Sequence, residues 1–276
     1  MSEHQQQIPV WRVAADKKTA DTDWLAVEEP LLIKLGWTSK PETMNLSVTM
    51  RTPGDDAALA AGFLFTEGII DHPDSILSFI QTTDTPNEIT VVVKDQVRPA
   101  LSMTERNFYT SSSCGVCGKS SLDAIKAKSI YTIENNTPVS ASLIRSLPDR
   151  LKESQHIFKS TGGLHASGLF TATGDLILLR EDVGRHNALD KLIGQCLLDK
   201  KLPLHHCILI LSGRASFELI QKASMAAIPV VASVGAPSSL AVELAKENGM
   251  VLCGFVRFER MNVYTGQDKV INNHNC

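Results

Sequence analysis

The sequence predicts an α/β protein, a three-layer domain on a mixed sheet with a smaller, strand-rich N-terminal α+β region before it. Three observations carry this reading. The second half alternates apolar runs of strand length with segments of helical period. The first half opens on short β-rich runs interrupted by prolines. A chain of 276 residues, 43% apolar and 21% charged, has the length and composition of two packed domains or one large one.

The elements follow in order. Val10–Ala14, Trp24–Val27, Leu31–Leu35 and Leu46–Met50 read as strands, with Pro30 and Pro41 as interruptions. Thr52-Pro53-Gly54-Asp55-Asp56 reads as a helix start, with Thr52 or Pro53 at the cap and two acids where the helix dipole favours them. The helix Ala57–Glu67 is apolar on nearly every side and so should be buried, and Gly68 suits its end. Ile89–Lys94 reads as another strand. Asp95 to Cys117 has little periodicity and reads as a long loop, of a length usually reserved for function. A helix from Lys119 to Lys128 follows it.

The second half begins with a helix over Ala141–Ser154, bent or broken near Pro148, then strands His165–Thr171 and Asp175–Arg180 about a turn at Thr173-Gly174. The helix His186–Leu198 carries Leu189, Leu192, Ile193, Cys196 and Leu197 at the spacing of one helical face. Strand Cys207–Leu211, helix Phe217–Ala227, strand Val230–Val234, helix Ser238–Glu247 and strand Val251–Val256 complete the alternation. A hairpin followed by β-α-β units implies a mixed sheet with parallel neighbours. The order matches the core of cytidine-deaminase-like folds. A boundary near Asn136–Ser140 divides the chain into residues 1–138, ending in the Cys-x-x-Cys loop and its helix, and a ligand-binding domain over 139–276.

Composition narrows the function. The formal charge of −3 gives no general reason to expect nucleic acid. No apolar run is long enough to cross a bilayer, and polar Met1–Gln7 lacks the pattern of a secretory signal. A soluble cytoplasmic protein with reduced thiols is the expectation, since six cysteines, only two of them close in sequence, make no disulfide framework.

Cys114-Gly115-Val116-Cys117 is the sharpest chemical signal. Such a pair can form a disulfide, share a metal, or pass sulfur between its thiols. The pair ends a polar loop and precedes a predicted helix, whose dipole stabilises a thiolate, the nucleophilic form. Half of a zinc site is the bland alternative, but no second Cys-x-x-Cys supplies the remaining ligands. Cys196 and Cys253 fit core packing, and His205-His206-Cys207 reads either as metal ligands or as a loop entering a strand.

Two strand-to-helix junctions come next. Arg180-Glu181-Asp182-Val183-Gly184-Arg185-His186-Asn187 and Ser212-Gly213-Arg214-Ala215-Ser216 each place glycine and arginine where α/β sheets form ligand crevices and helix amides suit anions. Arg185, His186 and Arg214 are therefore candidates to bind a phosphate-bearing ligand; ordinary capped turns with solvated arginines are the alternative. Zinc deaminases carry His-x-Glu and Pro-Cys-x-x-Cys at these junctions. Here Ala188 follows His186 by two residues and the second junction has no cysteine, so deaminase chemistry and a resident metal are not expected. In Thr161-Gly162-Gly163-Leu164-His165, His165 is an acid–base group or a satisfied core histidine. Phe255-Val256-Arg257-Phe258-Glu259-Arg260, at the end of the predicted last strand, offers guanidinium forks and aromatic faces to phosphates and a purine, or is an exposed terminus.

Together these segments resemble the FdhD family of sulfur carrier proteins required for formate dehydrogenase activity. The resemblance runs from about Glu28 onward. It is carried by Glu29-Pro30-Leu31, Thr52-Pro53-Gly54-Asp55, Leu59-Ala60-Ala61-Gly62-Phe63-Leu64, Glu67-Gly68-Ile69-Ile70, Cys114-Gly115-Val116-Cys117-Gly118, Thr161-Gly162-Gly163 with His165, Glu181 through Lys191, Ser212-Gly213-Arg214 and Gly254-Phe255. It implies a sulfurtransferase in which a cysteine desulfurase loads Cys114 as a persulfide and Cys117 assists or relays. It further implies delivery of the sulfur to a molybdenum cofactor carrying two molybdopterin guanine dinucleotides, held at Phe255–Arg260, before the cofactor enters formate dehydrogenase. A homodimer is also implied. A non-enzymatic cofactor-binding chaperone, whose thiols only grip metal or partner, is the alternative.

Overall fold

The computed structural model describes residues 4–98, 129–134 and 138–272. The Cys114–Cys117 pair and the helix expected over Lys119–Lys128 lie outside the described residues.

The chain is a mixed α/β structure. It opens with a two-stranded antiparallel ribbon, β1 (Gln5–Ala14) and β2 (Lys17–Ala26). A four-stranded sheet follows, made of β3 (Glu29–Trp37), β4 (Lys40–Arg51), β5 (Ile76–Thr82) and β6 (Thr85–Val93) in the order β4-β3-β6-β5. Pro30 does not interrupt β3: it pairs with Met50 of β4, whereas pairing to β6 begins only at Leu32, so no ladder bond on that side needs its missing N–H. Strand β5 was not expected from sequence. Its ladder slips between Ile76 and Ser78 and between Ile80 and Thr82, which breaks the two-residue alternation that betrays a strand.

Helix α1 (Asp56–Thr66) lies in the chain between β4 and β5. Its cap is Asp55, in the left-handed region, rather than Thr52 or Pro53. Asp56 instead receives two bonds of 3.0 Å from the Arg51 guanidinium, both groups buried.

The second half holds β7 (Val139–Ser140), α2 (Ala141–Ser154), α3 (His156–Thr161), β8 (His165–Thr171), β9 (Leu176–Asp182), α4 (Arg185–Leu198), β10 (Cys207–Leu211), α5 (Phe217–Met225), β11 (Val230–Ser233), α6 (Ser239–Glu247), β12 (Val251–Gly254), β13 (Asn262–Thr265) and β14 (Val270–Ile271). Its six-stranded sheet runs β13-β12-β11-β10-β8-β9, with β10, β11 and β12 mutually parallel and the remaining pairings antiparallel. That mixed sheet is the one the alternation implies. Helix α2 runs unbroken through Pro148. Strand β13 is a correction: Phe255–Arg260 is the loop between β12 and β13, not a segment after the last strand.

Alternate residues of the central strands feed two cores. Ile208 and Ile210 of β10 join Ile144, Leu147 and Leu151 of α2 in one cluster. Leu209 and Leu211 point the other way, into a larger cluster shared with α4, α5, α1 and the inner face of the four-stranded sheet. Residues from both sides of Asn136–Ser140 meet in that cluster. The closest approach is α1 against α4, where a Cβ on Gly62 would fall 1.9 Å from the Asp190 carbonyl oxygen and one on Gly194 1.9 Å from that of Ala58. Two glycines let these backbones touch.

Candidate functional site

A cleft of about 1040 Å³ opens beside the ends of β10, β11 and β12, the place an open α/β sheet reserves for ligands. One wall is α2, α3 and the turn after it. Glu181 sets this wall by accepting the N–H groups of Ile157 and Phe158 at 3.1 and 2.9 Å, a carboxylate at the helix N-terminus. Helix α3 then ends at Gly162, whose φ of 65° turns the chain into Gly163, buried Leu164 and His165. The opposite wall is the loop Val256–Arg260. Val256 is fully buried and donates its N–H to Ser233. The Arg257 guanidinium donates to the carbonyls of Val234 and Val256, both at 2.8 Å, and reciprocal backbone bonds between Arg257 and Arg260 close a tight turn. Arg145 of α2 reaches across to the Glu259 carbonyl.

Leu151, Phe158, Leu164 and Val256 give the cleft apolar surface, while exposed Lys152, Arg257 and Arg260 bring positive charge to its edge beside Asp149 and Glu259. Gln155 lines it too: the side chain is 4% exposed and its Nε2 makes no hydrogen bond. A buried amide donor without a partner is costly, and a ligand acceptor would satisfy it.

His165 stands at the start of β8, half-buried on the cleft with Gly213 against its ring. Burial depresses its pKa below the ordinary 6.5, the Arg185 charge adds to the effect, and Asp182 opposes both. A histidine whose folded pKa is depressed contributes full stability above 6.5 and loses it as pH falls from there toward the folded value. Thermal melts should therefore show wild type losing stability as the pH falls below 6.5, and His165→Gln losing less over the same descent. Parallel curves for the two proteins would refute this account of the imidazole.

The FdhD/NarQ family model matches residues 26–271. The sulfur carrier protein FdhD of Streptomyces avermitilis is 51% identical over 90% of this chain and 89% of its own length. Those of Mycobacterium tuberculosis and Sulfurisphaera tokodaii are 43% and 40% identical, each over at least 95% of both chains. This chain belongs to the FdhD/NarQ family. The fold agrees: a crystal structure of a Desulfotalea psychrophila protein, described as a formate dehydrogenase accessory protein, superposes with a TM-score of 0.73 at 22% identity over 97% of this chain and all of its own.

Of the residues expected to bind ligand, Val256, Arg257, Phe258, Glu259 and Arg260 line the cleft together with His165 and Ser212. Phe255, 44% exposed with φ of 52°, adjoins it. Arg185 acts on His165 through its charge, and Arg214 is exposed against Gly235; neither belongs to the lining. His186 is buried in the first turn of α4, 3.3 Å from the Ser216 hydroxyl and 3.9 Å from Glu218.

In this FdhD/NarQ chain the junction before α4 ties the two halves together. Asp182, fully buried, pairs with Lys191 at 2.7 Å and accepts from the N–H of Thr52, the N–H of Gly184 and the Asn187 amide. Lys191 in turn donates to the Thr52 carbonyl, and Val183 donates to the Thr52 hydroxyl. The Thr52-Pro53-Gly54-Asp55 block and the Glu181–Lys191 block, read separately in the sequence, are one polar clamp. Gln155, Lys152 and Phe158 were missed by sequence reasoning; they sit on helices with no motif, and only the fold turns them toward the cleft.

Proposed function

We propose that this chain is a cytoplasmic sulfurtransferase for formate dehydrogenase. It takes sulfur from a cysteine desulfurase onto Cys114 and delivers it to a molybdenum cofactor bearing two guanine dinucleotides, held as substrate in the cleft. The observation that carries the reading is the convergence on one cleft of three sequence-distant segments to which the family resemblance points, Gly162–His165, Ser212 and Val256–Arg260. The cleft's size, its cationic edge and the unsatisfied Gln155 amide suit a large ligand rich in phosphate and acceptor groups. The deaminase-like layering and the homodimer expected from sequence belong to the same reading.

The first transfer is redox-neutral. The Cys114 thiolate attacks the terminal sulfur of the desulfurase persulfide, one S–S bond forms as another breaks, and the desulfurase cysteine leaves as thiolate. Release as hydrosulfide needs two electrons. Attack by the Cys117 thiolate on the Cys114 sulfur supplies them and leaves a disulfide for a cellular dithiol to reduce. No helix among the described residues is long and apolar enough to cross a membrane.

The reading is tested by incubating the protein with a cysteine desulfurase and cysteine and weighing it; the absence of an added sulfur atom would reject it. The cleft is tested by calorimetry with guanosine diphosphate. Arg260→Ala should weaken binding about tenfold, the value of one charge-assisted hydrogen bond. Arg257→Ala should cost more, because its guanidinium also clips the loop to β11. Unchanged affinity in both variants would move the nucleotide elsewhere.

A further inference from the structure

The ribbon of β1 and β2 stands apart from both larger sheets. Trp11 is 63% exposed and Val13 71%, and every residue from Trp11 to Leu25 is exposed. Among the described residues it is fastened at its base, by His4 to the Pro53 carbonyl, by Ser160 to Gln5 and by α3 against β2. A two-stranded ribbon wet on both faces is marginal by itself and gains stability when further strands join it.

The two edges differ. The two-residue turn Ala15-Asp16 makes Ala14 and Lys17 a hydrogen-bonded pair, so alternation leaves the backbone groups of Lys18, Ala20 and Thr22 pointing outward from β2. On β1 the outward positions include Pro9, which pairs with Thr22 and has no N–H to offer. The β1 edge is blunted there. Among the described residues the β2 edge is open.

The charges along that edge are self-complementary. Antiparallel pairing of two β2 strands about Ala20 sets outward backbone groups against outward groups. It also places Lys17 opposite Asp23 and Thr19 opposite Asp21 of the other copy, twice over by symmetry. Centring the pair on Asp21 or Thr22 instead sets aspartates against aspartates. We propose that the occupant of this edge is a second copy of the chain, the two ribbons joining through β2 into one four-stranded sheet with Trp11 of each copy on the same face.

This rests on the homodimer in the proposed function and adds its surface. Sedimentation equilibrium on the full chain tests it. Wild type should be a dimer. Ala20→Pro, which removes one outward N–H per copy, and Asp23→Lys, which sets lysine against Lys17, should each raise the dissociation constant at least about tenfold. The double charge swap Lys17→Asp with Asp23→Lys should restore dimerisation, a recovery that misfolding would not produce. A dimer indifferent to both single variants overturns the β2 interface while leaving a homodimer. A monomeric wild type overturns both, and leaves the ribbon to a different protein.

Discussion

Cys114→Ser accepts no sulfur from a cysteine desulfurase, whereas Cys117→Ser is loaded but fails to support formate dehydrogenase activity in cells. These are the expected results. A serine hydroxyl is not ionised at neutral pH and does not attack a persulfide sulfur, so the loss should be complete. The remaining cysteines give the experiment its contrast. Cys196, Cys207 and Cys253 are buried, and burial pushes their thiols up to about 12, 11 and 12. At pH 7 they are neutral and out of reach of a partner's active site. The sixth, Cys276, is removed by Cys276→Ser, which should load as wild type does. Mass spectrometry after incubation with desulfurase and cysteine reads all three variants. A sulfur atom retained by Cys114→Ser would end the assignment of that thiol. Full activity in cells with both Cys114 and Cys117 replaced would favour the chaperone alternative.

The parts of this molecule legible in the sequence are those where a local period meets a continuous core. Helix α4 shows its apolar face at helical spacing because that face enters the larger cluster, and β8 and β10 have the bounds the sequence suggests. The illegible parts lack that link. Strand β5 is bulged; β13 is only four residues long; the ribbon is exposed on both faces, so no alternation marks the full length of its strands. The cleft was half legible. Gly162, Gly163, His165 and Val256–Arg260 each stood out, but nothing local says that residues about ninety apart share one cavity, or that Gln155 faces it. The junction before α4 holds a feature that its motif does not announce. Glycine and arginine at a strand-to-helix turn suggest an anion site, yet the buried anion there is Asp182 and its cation, Lys191, comes from the same block.

That pair carries the largest expected loss of stability. Lys191→Met should lower the unfolding free energy by about 3–5 kcal/mol, because it strands a buried carboxylate without its cation. Burial already holds the Asp182 pKa above the ordinary carboxylate range, with Lys191 pulling it down. Without the lysine, the carboxyl should bind its proton at still higher pH. A carboxyl whose folded pKa is raised above its unfolded value contributes stability below that unfolded value and loses it as pH rises through the folded one. The deficit of Lys191→Met should therefore shrink as the solution is acidified. Asp182→Asn added to Lys191→Met should recover part of the loss at neutral pH, since the amide is neutral and its one oxygen still accepts from the Gly184 N–H and the Asn187 amide, with only the Thr52 N–H bond given up. Urea unfolding of the wild type, the single variant and the double variant at pH 7 and pH 5 measures every arm. A single variant that costs less than about 1 kcal/mol at pH 7 would mean that the Asp182–Lys191 pair does not join the halves, and that the packing of α1 on α4 and the buried bonds of Thr66 to Asp190 and Lys222 hold them.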